Sequence, residues 1–121
     1  MDLEINKVVN ELKKHRKIAA IILFGSFARG KEKPLSDIDI AVITKNPDKD
    51  MEAEISSFSL NIFDIVNFHR LPLYIQFEVL KYGKPLFVRD EEYFSEIKRE
   101  VVKEHLEMSH LYERINRTVL S

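Results

Sequence analysis

Three short stretches carry the residue types that phosphate and metal chemistry needs. The first is Asp37-Ile38-Asp39, at the start of a run rich in β-branched residues. Side chains alternate along a strand, so these two carboxylates leave one face with their Cα atoms about 7 Å apart. The flanking Ile38, Ile40, Val42 and Ile43 mark a largely buried strand. Neighbouring charges repel there, and each desolvated carboxylate is costly unless paired. A divalent cation answers both problems, and oxygen-only ligands with open positions suit Mg²⁺, which shares its shell with phosphate oxygens.

The second stretch is Gly25-Ser26, directly after an apolar run and before an expected helical turn over 27–29. Glycine lets a phosphate approach the backbone, and exposed N–H groups at a helix start favour anions. The Ser26 hydroxyl can donate to a phosphate oxygen. Arg29, Lys31 and Lys33 add positive charge in the same loop, and Arg29 is best suited to a forked contact. The third is Asp64, flanked by Phe63 and Ile65, where an isolated structural carboxylate would be expensive. If its strand lies beside the first, three carboxylates can surround two metals about 3.5–4 Å apart, the arrangement that stabilises in-line phosphoryl transfer. Taken singly, each stretch has an ordinary explanation: a solvated Asp pair, a turn, a cap or an ion pair.

The elements that would position these residues are legible from periodicity and punctuation. Residues 2–16 read as an amphipathic helix, with Ile5, Val8, Val9 and Leu12 on one side and Asp2 available as a cap. Ile18 to Phe24 is a buried strand and Asp37 to Thr44 a second, closed by the breaker Asn46-Pro47. Residues 51–58 suggest a short helix, and 60–68 a third strand. Pro72 suits a first helical position, and Gly83 stands where a C′ glycine would. Residues 84–88 follow as a short strand. Asp90 can then cap a long last helix with Phe94, Ile97, Val101, Met108, Leu111, Tyr112 and Ile115 in one stripe. This order predicts an α/β (α+β) domain, a small mixed central sheet flanked by helices, with a long C-terminal helix over 90–120.

Length and composition fit one domain over 1–121. At 121 residues and 45% apolar, the chain can bury one core. Nineteen basic against twenty acidic residues leave no net attraction for polyanions, so nucleic-acid binding is not indicated. The absence of cysteine excludes disulfides and thiolate metal sites. No signal-like leader or membrane-length apolar run is present, which makes the cytoplasm the expected compartment. His15, His69, His105 and His110 offer no zinc spacing, and His105 and His110 fall on the long helix's surface or packing. The run Lys13-Lys14-His15-Arg16-Lys17 reads as a solvated helix end, where cations complement the dipole.

Order and spacing together point further. Leu23-Phe24-Gly25-Ser26-Phe27-Ala28-Arg29-Gly30, followed by Ser36-Asp37-Ile38-Asp39-Ile40, closely resembles the signature of the minimal nucleotidyltransferases of the DNA polymerase β-like superfamily. That signature is Gly-Ser, ten residues, then Asp-x-Asp, and residues 27–36 supply the ten. Phe63-Asp64-Ile65-Val66, Leu71-Pro72 and Gly83-Lys84-Pro85-Leu86-Phe87 extend the resemblance over roughly residues 18–89.

By that resemblance the chain has the nucleotidyltransferase fold. Asp37 and Asp39 would be metal ligands, and Asp64 would bind the second of two Mg²⁺ ions and help deprotonate the acceptor. Gly25 and Ser26 would hold the β- and γ-phosphates of a nucleoside triphosphate, with ATP as the family's usual substrate. So small a chain implies an acceptor brought by a partner. The resemblance is to family members that act as antitoxins, adding AMP to a tyrosine of a HEPN-domain toxin. The alternatives are a small-molecule adenylyltransferase of the aminoglycoside-modifying kind and a non-catalytic partner-binding module. The C-terminal helix is the expected surface for a homo- or hetero-oligomer.

Overall fold

β1 (Ile18–Phe24) has no polar face to turn to water, and its burial follows from that. It lies inside a four-stranded mixed sheet with β2 (Ile38–Thr44), β3 (Phe63–Asn67) and β4 (Lys84–Val88), in the order β3-β2-β1-β4. β1 pairs antiparallel with both β2 and β4, whereas β2 and β3 run parallel. A parallel pair needs a crossover, and helix α2 (Lys49–Ser57) supplies part of it. This computed structural model describes residues 2–25, 38–46, 49–57 and 63–120.

Both faces of the sheet are covered, as a sheet with continuous apolar strands requires. On one side α1 (Asp2–Leu12) brings Ile5, Val8, Val9 and Leu12, and α2 brings Met51 and Ile55. They pack with Ile21, Leu23, Ile38, Ile40, Val42, Phe63 and Ile65. On the other side α3 (Leu73–Tyr82) and α4 (Glu91–Leu120) bring Val79, Phe94 and Val101 against Ala20, Ile22, Ala41 and Ile43. No described helix is long and apolar enough to cross a membrane.

Several elements differ in extent from the sequence expectation. The first helix stops at Leu12 rather than residue 16. Arg89 explains the stop, because its Nε donates to the Ile18 carbonyl at 3.0 Å and its guanidinium also reaches the carbonyl of Lys13. The basic run therefore forms a turn beyond the helix, where Lys14 pairs with Glu11 at 3.0 Å. The short helix begins at Lys49, and Asn46 turns the chain ahead of it with a φ of 48°. The third strand is described from Phe63 and ends at Asn67, because Asn67 accepts the N–H of His69 and starts a 3₁₀ turn over Phe68–Arg70.

β2 is fastened at its far end. His69 Nε2 lies 3.0 Å from the Thr44 carbonyl oxygen, and Tyr93 donates its hydroxyl to the same oxygen at 3.2 Å. Burial pushes the His69 imidazole below its ordinary pKa. Lys45 pairs with Asp90, whose carboxyl that ammonium holds below the usual range.

α4 runs for 30 residues, about 45 Å at 1.5 Å per residue. Its expected stripe divides into two parts. Phe94 and Val101 are buried, and His105 stacks on Phe77 with ring centroids 3.8 Å apart. Beyond them Met108, Leu111 and Ile115 stand exposed, and the Tyr112 side chain lies outside the described residues.

Gly83 serves a different purpose from the one its position suggests. It follows α3 with φ −70°, so no left-handed conformation calls for glycine. Space does. A Cβ there would stand 2.2 Å from the Val79 carbonyl oxygen and 2.6 Å from Ile22 Cγ2. Gly83→Ala is therefore expected to cost about 1–3 kcal/mol of stability through overpacking. Thermal denaturation would show it, and an unchanged midpoint would contradict this account of the α3–β1 contact.

Candidate active site

Asp39 follows the first residue of β2, and its position decides what the sheet can bind. Alternation sets Asp39 on the same face as Ala41 and Ile43, the face covered by α3 and α4. Asp64 occupies the second position of β3 and shares that face with Val66. The parallel register pairs Asp39 directly with Asp64, continuing the series Ile38 with Phe63 and Ile40 with Ile65. Strands lie about 4.8 Å apart, so the two carboxylates come from adjoining positions rather than distant ones. The strand pairing on which the expectation for Asp64 depended is present, and it sets Asp64 in register with Asp39.

The burial half of that expectation is corrected. Asp64 is exposed, and its neighbours Phe63 and Ile65 are buried because they point to the opposite face. Water already solvates this carboxylate, so the expense of a desolvated charge does not mark it out. Its register with Asp39 does.

Gly25 completes the described part of the site. In the β1–β2 register Phe24 stands opposite Asp39, and Gly25 follows immediately with φ +78°, a conformation that glycine adopts without strain. A Cβ on Gly25 would lie 2.3 Å from Asp39 Oδ2. The missing side chain thus leaves room for the carboxylate itself. Sequence reasoning assigned this glycine to phosphate approach alone and missed its contact with Asp39, a contact that only strand register reveals.

The structure therefore brings together Gly25, Asp39 and Asp64. Ser26, Arg29 and Asp37 lie outside the described residues, as do Lys31, Lys33 and the turn expected over 27–29. Among the described residues, no group of three or more His, Cys, Asp or Glu side chains could hold a metal. Two oxygen-only carboxylates in register still fit a hard divalent cation that keeps water or phosphate oxygens in its remaining positions. A hollow of about 600 Å³ between α2 and the later half of β3, walled by Lys49, Glu52, Ile65, Asn67 and Arg70, includes neither carboxylate.

Comparison with known proteins identifies the family. The family model described as "Polymerase beta, Nucleotidyltransferase" matches residues 6–92. The chain belongs to that nucleotidyltransferase family. Over 71 residues it is 39% identical to a Methanocaldococcus jannaschii protein named "Putative protein adenylyltransferase MJ1547", a match covering 59% of this chain and 57% of that one. A second protein of that organism, "Putative protein adenylyltransferase MJ1215", is 40% identical over 62 residues, covering 50% of this chain and 72% of that protein. The chain thus aligns with little more than half the length of the first relative.

Among solved structures, a chain of a toxin–antitoxin crystallised with AMP-PNP superposes with a TM-score of 0.72 at 22% identity, covering 96% of this chain and 98% of that one. A chain from the complex of a tri-AMPylated Shewanella oneidensis HEPN toxin with its MNT antitoxin gives 0.68 at 21% identity, covering 99% and 98%. At such identities these likenesses establish the nucleotidyltransferase fold.

The Gly25–Asp39 contact yields a direct expectation. Gly25→Ala should displace the Asp39 carboxylate and weaken Mn²⁺ binding about tenfold or more, the usual effect of disturbing a group that orients a ligand. Mn²⁺ titration followed by electron paramagnetic resonance would check it, with circular dichroism as the control for folding. Undiminished affinity would show that the glycine does not set the carboxylate's position.

Proposed function

We propose that this chain is a metal-dependent nucleotidyltransferase that moves AMP from ATP to a hydroxyl, and that the hydroxyl belongs to a tyrosine of a HEPN-domain toxin. In this reading the chain is one domain, acts in the cytoplasm and serves as the antitoxin. The observation that carries the reading is the register of Asp39 with Asp64 beside a glycine that leaves the Asp39 carboxylate its space. The adenylyltransferase names of its archaeal relatives and the toxin–antitoxin complexes that share its fold support the nucleotide and the partner.

The chemistry assigned to the residues is simple. Asp37, Asp39 and Asp64 hold two Mg²⁺, which when bound supply positive charge against the triphosphate and favour the ionised acceptor. Gly25 and Ser26 receive the β- and γ-phosphates, and Arg29 adds a forked contact. Asp64 takes the proton as the acceptor oxygen attacks the α-phosphorus. One O–P bond forms, the bond to the bridging oxygen of the β-phosphate breaks, and pyrophosphate leaves with the electron pair. The protein contributes position and charge, with no covalent intermediate. Met108, Leu111 and Ile115, exposed on the outer half of α4, form the face offered to the partner.

The test uses the full chain, ATP, Mg²⁺ and a HEPN-domain protein encoded beside it. Intact-mass spectrometry should show the partner gaining one or more AMP units, mapped by peptide sequencing to tyrosine. Asp39→Asn should slow the transfer by more than about a hundredfold, since it removes a metal ligand rather than a group behind one. A partner that stays unmodified yet is still neutralised would replace this reading with masking by binding alone.

A further inference from the structure

The end of α3 stands level with the acidic pair. A Cβ on Gly83 would lie 2.6 Å from Ile22 Cγ2 and 3.1 Å from the Leu23 carbonyl oxygen. Leu23 pairs with Ile40, the residue after Asp39. Ile22 and Val79 pack together on the face of the sheet that carries Asp39 and Asp64. Tyr82, the last residue of α3, thus directly precedes a backbone that touches β1 at the height of the site.

The helix sets the side from which Tyr82 projects. Val79 is buried against the sheet. At about 100° per residue, Phe77 and Leu80 lie to one side of it, about 160° and 100° round. Glu78 and Tyr82 lie to the other side, about 100° and 60° round. The Phe77 side meets α4, since that ring stacks on His105. α4 follows β4 at one edge of the sheet, whereas α3 follows β3 from the other edge. The Tyr82 side therefore overlooks the β2–β3 half. There Asp39 and Asp64 stand one and two strand spacings from β1, about 5 and 10 Å.

The ring suits a planar ligand. Tyr82 is 46% exposed, and the Lys81 ammonium lies 5.1 Å from its centroid. That cation restrains the ring and adds positive charge on the triphosphate's side of the helix. Gly25, Asp39 and Asp64 address only the triphosphate, and the base beyond it needs an apolar, planar surface. An aromatic side chain supplies one to any base, because every base has a π-face. A docked protein would also cover an exposed ring. Its neighbours Glu78, Lys81 and Lys84 are exposed and charged, however, so the apolar area there is too small for such an interface.

We propose that Tyr82 is the platform on which the base of the nucleoside triphosphate stacks while its phosphates lie over Asp39 and Asp64. This assignment rests on the nucleotidyl-transfer reading and extends it from the phosphates to the base. Tyr82 is then a positioning residue for the nucleotide. Tyr74, on the outward side of the same helix and 64% exposed, has no such role.

The experiment compares ATP with inorganic tripolyphosphate, which has the phosphates and no base. Isothermal titration of the full chain with Mn²⁺ present reads both affinities. Tyr82→Ala should weaken ATP about tenfold, within the range that stacking of one base supplies, and leave tripolyphosphate unchanged. Tyr82→Phe and Tyr82→Trp should restore ATP binding, and Tyr74→Ala should change neither ligand. Equal weakening of both ligands would show a structural role for the ring and overturn the proposal. So would unchanged ATP affinity in Tyr82→Ala, or AMP found on Tyr82 itself by intact-mass spectrometry after incubation with ATP. A wild-type chain that binds tripolyphosphate as tightly as ATP would overturn this assignment alone. One that binds neither would overturn it together with the reading on which it rests.

Discussion

Two carboxylates placed directly across a strand pair repel, and a sheet tolerates that arrangement only where something opposes the repulsion. In this chain the register of β2 with β3 imposes it on Asp39 and Asp64. Much of the fold serves to hold that register. Ile38, Ile40, Phe63 and Ile65 are buried against α1 and α2, so a one-residue slip of either strand would exchange its two faces and drive Asp39 or Asp64 into that core. Thr44, Lys45, His69, Tyr93 and Asp90 tie the far end of β2 to its neighbours. The core thus fixes the register that sets the acidic pair side by side.

Gly25 and Gly83 show two uses of a missing side chain. At Gly83 the backbone is ordinary, and what matters is the approach of the α3 end to Ile22 and Leu23 of β1. At Gly25 both factors act, since φ is positive and the absent Cβ leaves Asp39 its place. The two meet on β1, with one at its end and the other packed on its flank. β1 is thus the strand through which closeness of packing and geometry of the site are joined.

Much of this was legible in the residues. The continuous apolar run of β1 and the β-branched run of β2 announce buried strands, and Pro72 and Gly83 bracket α3 to within a residue. The Gly-Ser and Asp-x-Asp spacing identified the family. Strand order was less accessible, because pairing depends on which apolar faces meet and not on any single segment. Asp64 was chosen for a burial it does not have, since the apolar neighbours that suggested burial face the other way along the pleat. Arg89 carried no signal: an arginine after a strand does not reveal that it will gather the carbonyls of Lys13 and Ile18 at either end of the α1–β1 connection. The stripe of α4 was visible throughout, but Val101 and Ile115 look alike in sequence though one is buried and the other exposed.

The long helix and the acidic pair belong to different scales of the same molecule. The pair lies on the edge half of a small sheet, with Asp64 open to solvent, while α4 extends its outer half away from the sheet with apolar residues exposed. Exposed apolar residues on that outer half form a surface of the kind that protein interfaces use. The claim on which all of this rests is that Asp39 and Asp64 bind one cation cluster together. Crystals soaked with Mn²⁺ and a nonhydrolysable ATP analogue, measured for manganese anomalous scattering, test it most directly. The account predicts anomalous density within coordination distance of both carboxylates and of the triphosphate. Nucleotide bound with manganese remote from either Asp39 or Asp64 would contradict it.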